Sequence, residues 1–421
     1  MHTAVTDALQ HLHSPCLFDY SWWQAMAAVG SIIVATLCCV ALVCVLWQVH
    51  TSESKPDASS SEKLADSQLQ WMPHAKVRKR QLAVEHKQGL GALRKAAQSI
   101  SEPFNVSACR PQITGQVAPS NAPTVHVAMS VNRDQVLALF VCATSLLSHT
   151  RSPHAIKIHL LVDRDTVRLV QQVLDCLGTS VSARFEVHQV KTAAYSLLRG
   201  GSKDAVANLV RFYLPQLLPR VDKVLWVDAD GLVMGDVYAL MSTVFEGAHT
   251  SSAIASVERP GKTLKASTGL GPRELTRLAL WNVKPNDAVF NAGFIALNLR
   301  IWREETTTER VEQLVRKLRT IGFRGFPGIS TKSAKGVVHD SQTPLVLHFK
   351  NISGSIQRLP PEWNIEGLGW KLVKRDKVCA GRFLHWSGGH KPWNDLKATY
   401  IPLWELHARM GLGKCYSVAR H

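Results

Sequence analysis
From Val125 onward the sequence alternates short β-rich apolar runs with runs of helical period, and the fourth β-rich run ends in two carboxylates one residue apart. Val125 to Val131 reads as a buried strand, followed by an apolar helix through Leu147. Ile156 to Val162 reads as a second strand, after which Val170, Val173, Leu174 and Leu177 recur at helical spacing. Val181 to Val190 alternates as a third strand, Asn208 to Leu218 predicts another helix, and Val221 to Val227 is the fourth β-rich run. Strands separated by helices of this length predict a parallel sheet flanked by helices, a Rossmann-like α/β domain. Ligands of such sheets sit beyond the C-terminal ends of strands. That rule points to the residues just after Val227.

Asp228-Ala229-Asp230 occupies that position. Two carboxylates at the loosening end of an apolar strand can turn towards one divalent ion, because buried like charges require a counter-cation. Oxygen ligands suit Mg²⁺ or Mn²⁺. The pattern also occurs as a turn cap or a solvated pair, so its position after an apolar strand is what gives it weight. A second constellation is His385-Trp386-Ser387-Gly388-Gly389-His390-Lys391-Pro392-Trp393. Its glycines let backbone N–H groups approach an anion. Lys391 supplies a point charge for phosphate and His385 an imidazole for a transition-type ion. Taken alone it reads equally as a Gly/Pro turn with aromatic packing; with the carboxylate pair it reads as half of a metal–diphosphate site.

The N-terminal part has a different character. Ala25 to Trp47 is apolar and uncharged, with Trp22, Trp23 and Trp47 at its ends. About 20 such residues cross a hydrocarbon core of about 30 Å, so an uncleaved single-pass anchor is expected. Residues 1–24 then form a short cytoplasmic tail, 48–122 a stem carrying the basic stretch Lys76, Arg78, Lys79 and Arg80, 123–411 the folded domain and 412–421 a C-terminal tail. Lys55 and Lys63 after the span argue for a cytosolic C-terminal bulk; the sequons at Asn105 and Asn351 argue for the opposite side. Cys109, Cys142, Cys176, Cys379 and Cys415 lack metal-ligand spacing, allow at most two bridges among them, and read mainly as buried thiols. Forty-nine Lys+Arg against 32 Asp+Glu leave a net charge of +17, which favours an anionic partner without choosing among nucleic acid, lipid, phosphorylated small molecule and acidic glycan.

The ordered blocks resemble the family-8 glycosyltransferases, retaining enzymes of the GT-A fold. Within that family the chain is most similar to plant galacturonosyltransferase-like proteins and animal glycosyltransferase 8 domain-containing proteins. The similarity rests on several matches in order. They are Val125 to Met129, Asn208-Leu209-Val210-Arg211-Phe212-Tyr213-Leu214-Pro215, Val224 to Asp230, Phe290-Asn291-Ala292-Gly293-Phe294, Trp363-Asn364 with Gly367-Leu368-Gly369, and His385 to Trp393. The fold expected from the resemblance is a Rossmann-like mixed sheet flanked by helices, here preceded by a single transmembrane helix and stalk.

Carried over by position, Asp228, Asp230 and His385 would ligate Mn²⁺ (or Mg²⁺), with Gly388 and Lys391 on the diphosphate. Ala229 and Asn132 would lie against the donor, Arg211 would reach the donor sugar, Asn291 would line the sugar pocket, Gln342 would be a catalytic contact and Asn364 would lie on the acceptor side. Trp386 and Trp393 read as core aromatics rather than sugar platforms. The chain departs from the family where Asn132 replaces the acid that meets uracil and Gln135 replaces a stacking Tyr.

The resemblance implies a UDP-sugar-dependent transferase moving a hexosyl, uronosyl or pentosyl unit to a glycan or polysaccharide hydroxyl. It also implies a Golgi type II membrane protein with a lumenal catalytic domain. A tethered, catalytically weak nucleotide-sugar- or glycan-binding protein of the same fold is the alternative. Nucleic acid is not an expected partner, because no nucleic-acid motif accompanies the charge.

Overall fold
The computed structural model describes Cys109 and residues 117–199, 203–323 and 341–420. Its strands in chain order are β1 (Val125–Val131), β2 (Ile156–Val162), β3 (Phe185–Gln189), β4 (Lys223–Val227), β5 (Gly231–Val233), β6 (Ile254–Thr263), β7 (Ala288–Asn298), β8 (Ile356–Arg358), β9 (Ile365–Glu366) and β10 (Phe383–His385). The helices that position the site are α1 (Val136–Ser148), α2 (Arg164–Leu177), α3 (Lys203–Leu209), α4 (Thr307–Thr320), α5 (Gln342–Lys350), α6 (Ile401–Leu412) and α7 (Tyr416–Arg420). Seven strands form one sheet in the order β3-β2-β1-β4-β7-β6-β8, and β5-β10-β9 form a second. Strands β3, β2, β1 and β4 are mutually parallel, and β7 then enters antiparallel against β4. The sheet is therefore mixed rather than all-parallel.

Both faces of β1, β2 and β4 are covered along most of their length, which is why these strands read as largely apolar runs. Val127, Met129 and Val131 of β1 pack with α1, α2 and α6 on one side, together with Leu225 and Val227 of β4. On the other side Ala128, Val224 and Trp226 pack with Phe212, Leu314 and Phe349. Strands β1 and β2 have the limits their sequence predicts. The third strand is shorter, because Thr179–Ser182 forms a helical turn and only Phe185–Gln189 is extended. The expected helix from Asn208 to Leu218 is broken into the end of α3, a 3₁₀ turn at Val210–Tyr213 and a short helix at Leu214–Leu217. Pro215 causes the break: it has no N–H for the carbonyl of Arg211, four residues earlier.

The expectation of a single transmembrane helix is corrected. Among the described residues no helix is long and apolar enough to cross a membrane. The longest, α2 and α4, have 14 residues each, about 21 Å at 1.5 Å per residue against a core of about 30 Å. Residues 25–47, Asn105 and the stem apart from Cys109 and residues 117–122 lie outside the described residues. The described residues therefore contain no helix to carry the expected membrane attachment and Golgi type II placement.

Four cysteines expected to be mainly buried thiols are paired instead, Cys109 with Cys379 and Cys176 with Cys415. Cys142 remains a buried free thiol. The second bridge joins the last turn of α2 to the turn between α6 and α7, so residues 412–420 are bound to the domain. It closes a separation of 239 residues. Cys176→Ser is expected to cost about 2–5 kcal/mol, because a long cross-linked loop restricts the unfolded chain. Thermal melting with and without reductant checks this, since reductant should lower the wild-type melting point and leave the variant less affected.

Candidate active site
Asp228 and Asp230 stand where β4 gives way to β5, and each is fixed through its backbone. The Asp228 N–H donates to the Gly293 carbonyl at 2.7 Å, tying the pair to β7. The Asp230 carbonyl accepts from the Trp386 N–H at 2.8 Å. Strand β10 runs antiparallel to β5 with His385 opposite Gly231, so the second sheet delivers an imidazole to the carboxylates across 155 residues of sequence. Gly231 is needed for that approach, because a Cβ there would stand 2.2 Å from the Phe383 ring. One ligand atom each from Asp228, Asp230 and His385 lie within 4.8 Å of one another. Two carboxylates and one imidazole converging in this way fit a Mn²⁺- or Mg²⁺-class cation.

Asp228 is anchored by groups that face inward. Its Oδ1 accepts from Arg211 Nη2 at 2.9 Å and from Trp226 Nε1 at 2.7 Å. Two further donors of Arg211 go to the carbonyls of Asn208 and Ala292, and its guanidinium lies 4.4 Å from the centre of the Trp226 ring. At 3% exposure the side chain is buried. Arg211, expected to reach a donor sugar, thus points to the carboxylate and holds Asp228 in one orientation.

His385 is oriented by a chain of amides. The Gly293 N–H donates to Asn291 Oδ1 at 2.8 Å, and Asn291 Nδ2 donates to Glu366 Oε2 at 3.1 Å, which sets the Asn291 amide. Asn364 Nδ2 also donates to Asn291 Oδ1, at 3.0 Å, so Asn364 turns its Oδ1 to His385 Nδ1 at 3.2 Å. That oxygen can only accept, which puts the ring proton on Nδ1 and turns Nε2 to Asp230 at 3.1 Å. Arg259 closes the chain by donating to Glu366 at 2.8 Å. Asn364, expected on the acceptor side, is buried with these groups.

Lys391 Nζ donates to Asp230 Oδ2 and, at 2.8 Å, to the Trp386 carbonyl. Burial opposes ionisation of Asp230, but Lys391 and His385 outweigh it and hold the carboxyl well below the usual carboxylate range. Gly388 adopts φ of 115°, and a Cβ there would meet Trp370 at 2.6 Å. The loop therefore requires glycine where an anion's approach was expected. Trp386 is fully buried with its indole N–H on the Thr399 carbonyl, and Trp393 packs partly buried beside Trp404. Cys142 Sγ approaches the Asp228 carbonyl at 3.8 Å; burial pushes the thiol up, so it stays neutral near the carboxylates.

Of the remaining expected residues, Asn132 is buried just beyond β1, where its carbonyl accepts from the Gln135 N–H. Ala229 is buried between the two aspartates. Gln342 opens α5 and its Oε1 accepts from the Ala292 N–H at 3.2 Å, which places it beside the Asn291 strand. Asn351 ends α5, and its side-chain oxygen accepts from the Asn282 N–H at 3.3 Å.

Sequence reasoning did not single out Gly293, Glu366, Trp226 or Arg259 as site residues. Gly293 had a visible signal in its place two residues after Asn291. A Cβ at that position would stand 2.3 Å from His385 Cε1 and 2.8 Å from Asp228 Oδ2, so only glycine leaves the space between the two ligands.

The sequence profile of glycosyl transferase family 8 matches residues 126–397, a span that contains every residue of the cluster. The chain belongs to that family. Among curated relatives, glycosyltransferase 8 domain-containing protein 2 of Homo sapiens is 28% identical over 209 residues, covering 47% of this chain and 56% of that protein. Glycosyltransferase 8 domain-containing protein 1 of Xenopus laevis is 26% identical over 292 residues, 63% of this chain and 73% of that protein. The chain thus spans little more than half the length of the first of these. Among solved structures, the galactosyltransferase LgtC in complex with donor and acceptor sugar analogues has a TM-score of 0.46 at 16% identity, covering 68% of this chain and 96% of that one. The family match and the Asp228–Asp230–His385 cluster support a glycosyltransferase-type reading.

Proposed function
We propose that the protein transfers a hexosyl, uronosyl or pentosyl unit from a UDP-sugar to a glycan hydroxyl, with retention at the anomeric carbon and dependence on Mn²⁺. The observation that carries this reading is the convergence of Asp228, Asp230 and His385 beside Lys391. When bound, Mn²⁺ would offset the negative charge that grows on the departing diphosphate. The chain's residues would do the rest. Arg211 orients Asp228, and Lys391 with His385 holds Asp230 ionised. His385 presents Nε2 because Asn364 engages Nδ1. Lys391, on a loop that glycine opens, can turn one of its three donors to a phosphate oxygen. Glu366 is engaged by Arg259 and Asn291 rather than facing a sugar as a nucleophile. That supports front-face attack by the acceptor hydroxyl.

The test is release of UDP from a panel of UDP-sugars with and without Mn²⁺. Asp230→Asn is expected to lower Mn²⁺-dependent release by about 10²–10³, the usual cost of losing one electrostatic contact to a leaving group. Its circular dichroism should be unchanged. Equal turnover by the variant would remove the site assignment. Mn²⁺-dependent binding of UDP-sugar without any release by the wild type would select the non-catalytic reading.

A further inference from the structure
A second group of potential ligands lies on β2 and β3, two and three strands away from β4 in the sheet order, and nothing in the proposed transfer uses it. In β1, β2 and β3 one set of alternate residues faces the core with α1 and α2: Val127 and Met129, Ile158 and Leu160, Phe185 and Val187. The opposite set contains His126, Lys157, His159, Glu186 and His188, with His159 paired directly across from Glu186. His159 is 3% exposed, a position on a doubly covered strand that would ordinarily hold an aliphatic side chain.

The distances among these groups are those of a coordination shell. His159 Nδ1 and His188 Nε2 are 3.0 Å apart, and the Glu186 carboxylate oxygens stand 3.6 Å and 3.5 Å from them. Four ligands at 2.0–2.1 Å from a tetrahedral Zn²⁺ are about 3.3 Å from one another. We propose that His159 Nδ1, His188 Nε2 and the Glu186 carboxylate form a zinc-class cation site, with water at the fourth position.

The surroundings prepare the ligands. His126 Nδ1 lies 2.9 Å from His159 Nε2. With the Nε2 proton donated to His126, the Nδ1 lone pair of His159 is free for a metal, the arrangement by which an outer partner fixes a ligating imidazole. Burial, reinforced by His126, His188 and Lys157, lowers His159 to about 3, so its ring is neutral at physiological pH. Burial lowers His188 and His126 as well. Lys157, the cation on this face, reaches towards the Ala183 carbonyl at 3.5 Å, and Glu186 supplies the compensating negative charge. Two imidazoles and one carboxylate favour Zn²⁺ over Mg²⁺ or Ca²⁺, which take all-oxygen shells. Because β3 lies at the end of the sheet order, a bound ion would fasten this edge strand to its neighbour.

The experiment uses the full chain carrying Asp230→Asn and His385→Gln, which silences the first centre. After chelator treatment it is titrated with Zn²⁺ by calorimetry and with Co²⁺ by visible absorption. One Zn²⁺ with loss of at least tenfold in affinity on adding His188→Gln or Glu186→Gln is the expected result, together with Co²⁺ bands of a four- or five-coordinate nitrogen–oxygen site. Glu186 is half exposed, so its substitution keeps the strand intact and the test does not depend on a buried histidine. His126→Ala should weaken Zn²⁺ about 10–100-fold through the outer hydrogen bond. Absence of Zn²⁺ uptake, or uptake that neither His188→Gln nor Glu186→Gln changes, overturns the proposal.

Discussion
Arg211→Met is expected to lower stability by about 3 kcal/mol, because removing one partner of a buried ion pair leaves the other charge uncompensated. The full range for such a loss is about 3–5 kcal/mol. Asp228 is 27% exposed on its side chain, so water can screen part of the deficit and the lower end applies. Beyond the charge, the variant strands the carbonyls of Asn208 and Ala292 that the guanidinium now satisfies. It also removes the cation packed on Trp226. For a domain of about 290 residues, with about 2.1 cal/mol/K of unfolding entropy per residue, about 3 kcal/mol corresponds to a fall of roughly 5 °C in melting temperature. Arg211→Lys keeps the charge but cannot bridge a carboxylate and two carbonyls, so it should recover only part of the loss. A cation that binds Asp228 supplies the missing charge from the open side. Added Mn²⁺ should therefore raise the melting temperature of Arg211→Met more than that of the wild type. Equal shifts in both would show that Asp228 is not a metal ligand.

How much of this site the sequence discloses depends on whether the relevant pairing is local. Strands β1 and β2 were readable to the residue because burial on both faces makes an apolar run with sharp ends. The end of β4 was readable for the same reason, and the carboxylate pair after it stands where a sheet of this kind opens to ligands. His385 was reachable only by resemblance, since its meeting with Asp230 depends on the register of β10 with β5. Period-2 and period-3.6 patterns show which face of an element is buried but not which distant element covers it. Arg211 illustrates the limit. An arginine followed closely by Pro215 marks a break, yet the direction of its guanidinium is set by the Ala292 carbonyl and Asp228, 81 and 17 residues away. The disulfides were illegible on the same ground, with partners 270 and 239 residues apart. Asn364, expected on the acceptor side, also supports His385, and its neighbours rather than its own chemistry decide which amide group is free to do so.

Gly293→Ala is expected to abolish most turnover while leaving the fold in place. The added methyl would stand 2.3 Å from His385 Cε1, 2.8 Å from Asp228 Oδ2 and 2.9 Å from Asn291 Oδ1, closer than carbon normally approaches any of them. None of the three can easily retreat. His385 is held by Asn364 and packed near Phe383, Asp228 by Arg211 and Trp226, and Asn291 by the Gly293 N–H and Glu366. The backbone conformation is not the obstacle, since Gly293 lies inside β7 and has no positive φ. Relief must come from displacing the imidazole or the carboxylate. A shift of about 1 Å at a reacting centre costs on the order of 10²-fold in rate. Because both displaced groups belong to the cluster proposed to hold Mn²⁺, metal affinity should fall with turnover. Calorimetric titration of Mn²⁺ separates this from a general defect: weakened Mn²⁺ binding with a near-native melting curve is the expected pattern. Wild-type Mn²⁺ affinity in the variant would mean that Asp228 Oδ2 and His385 do not share a cation.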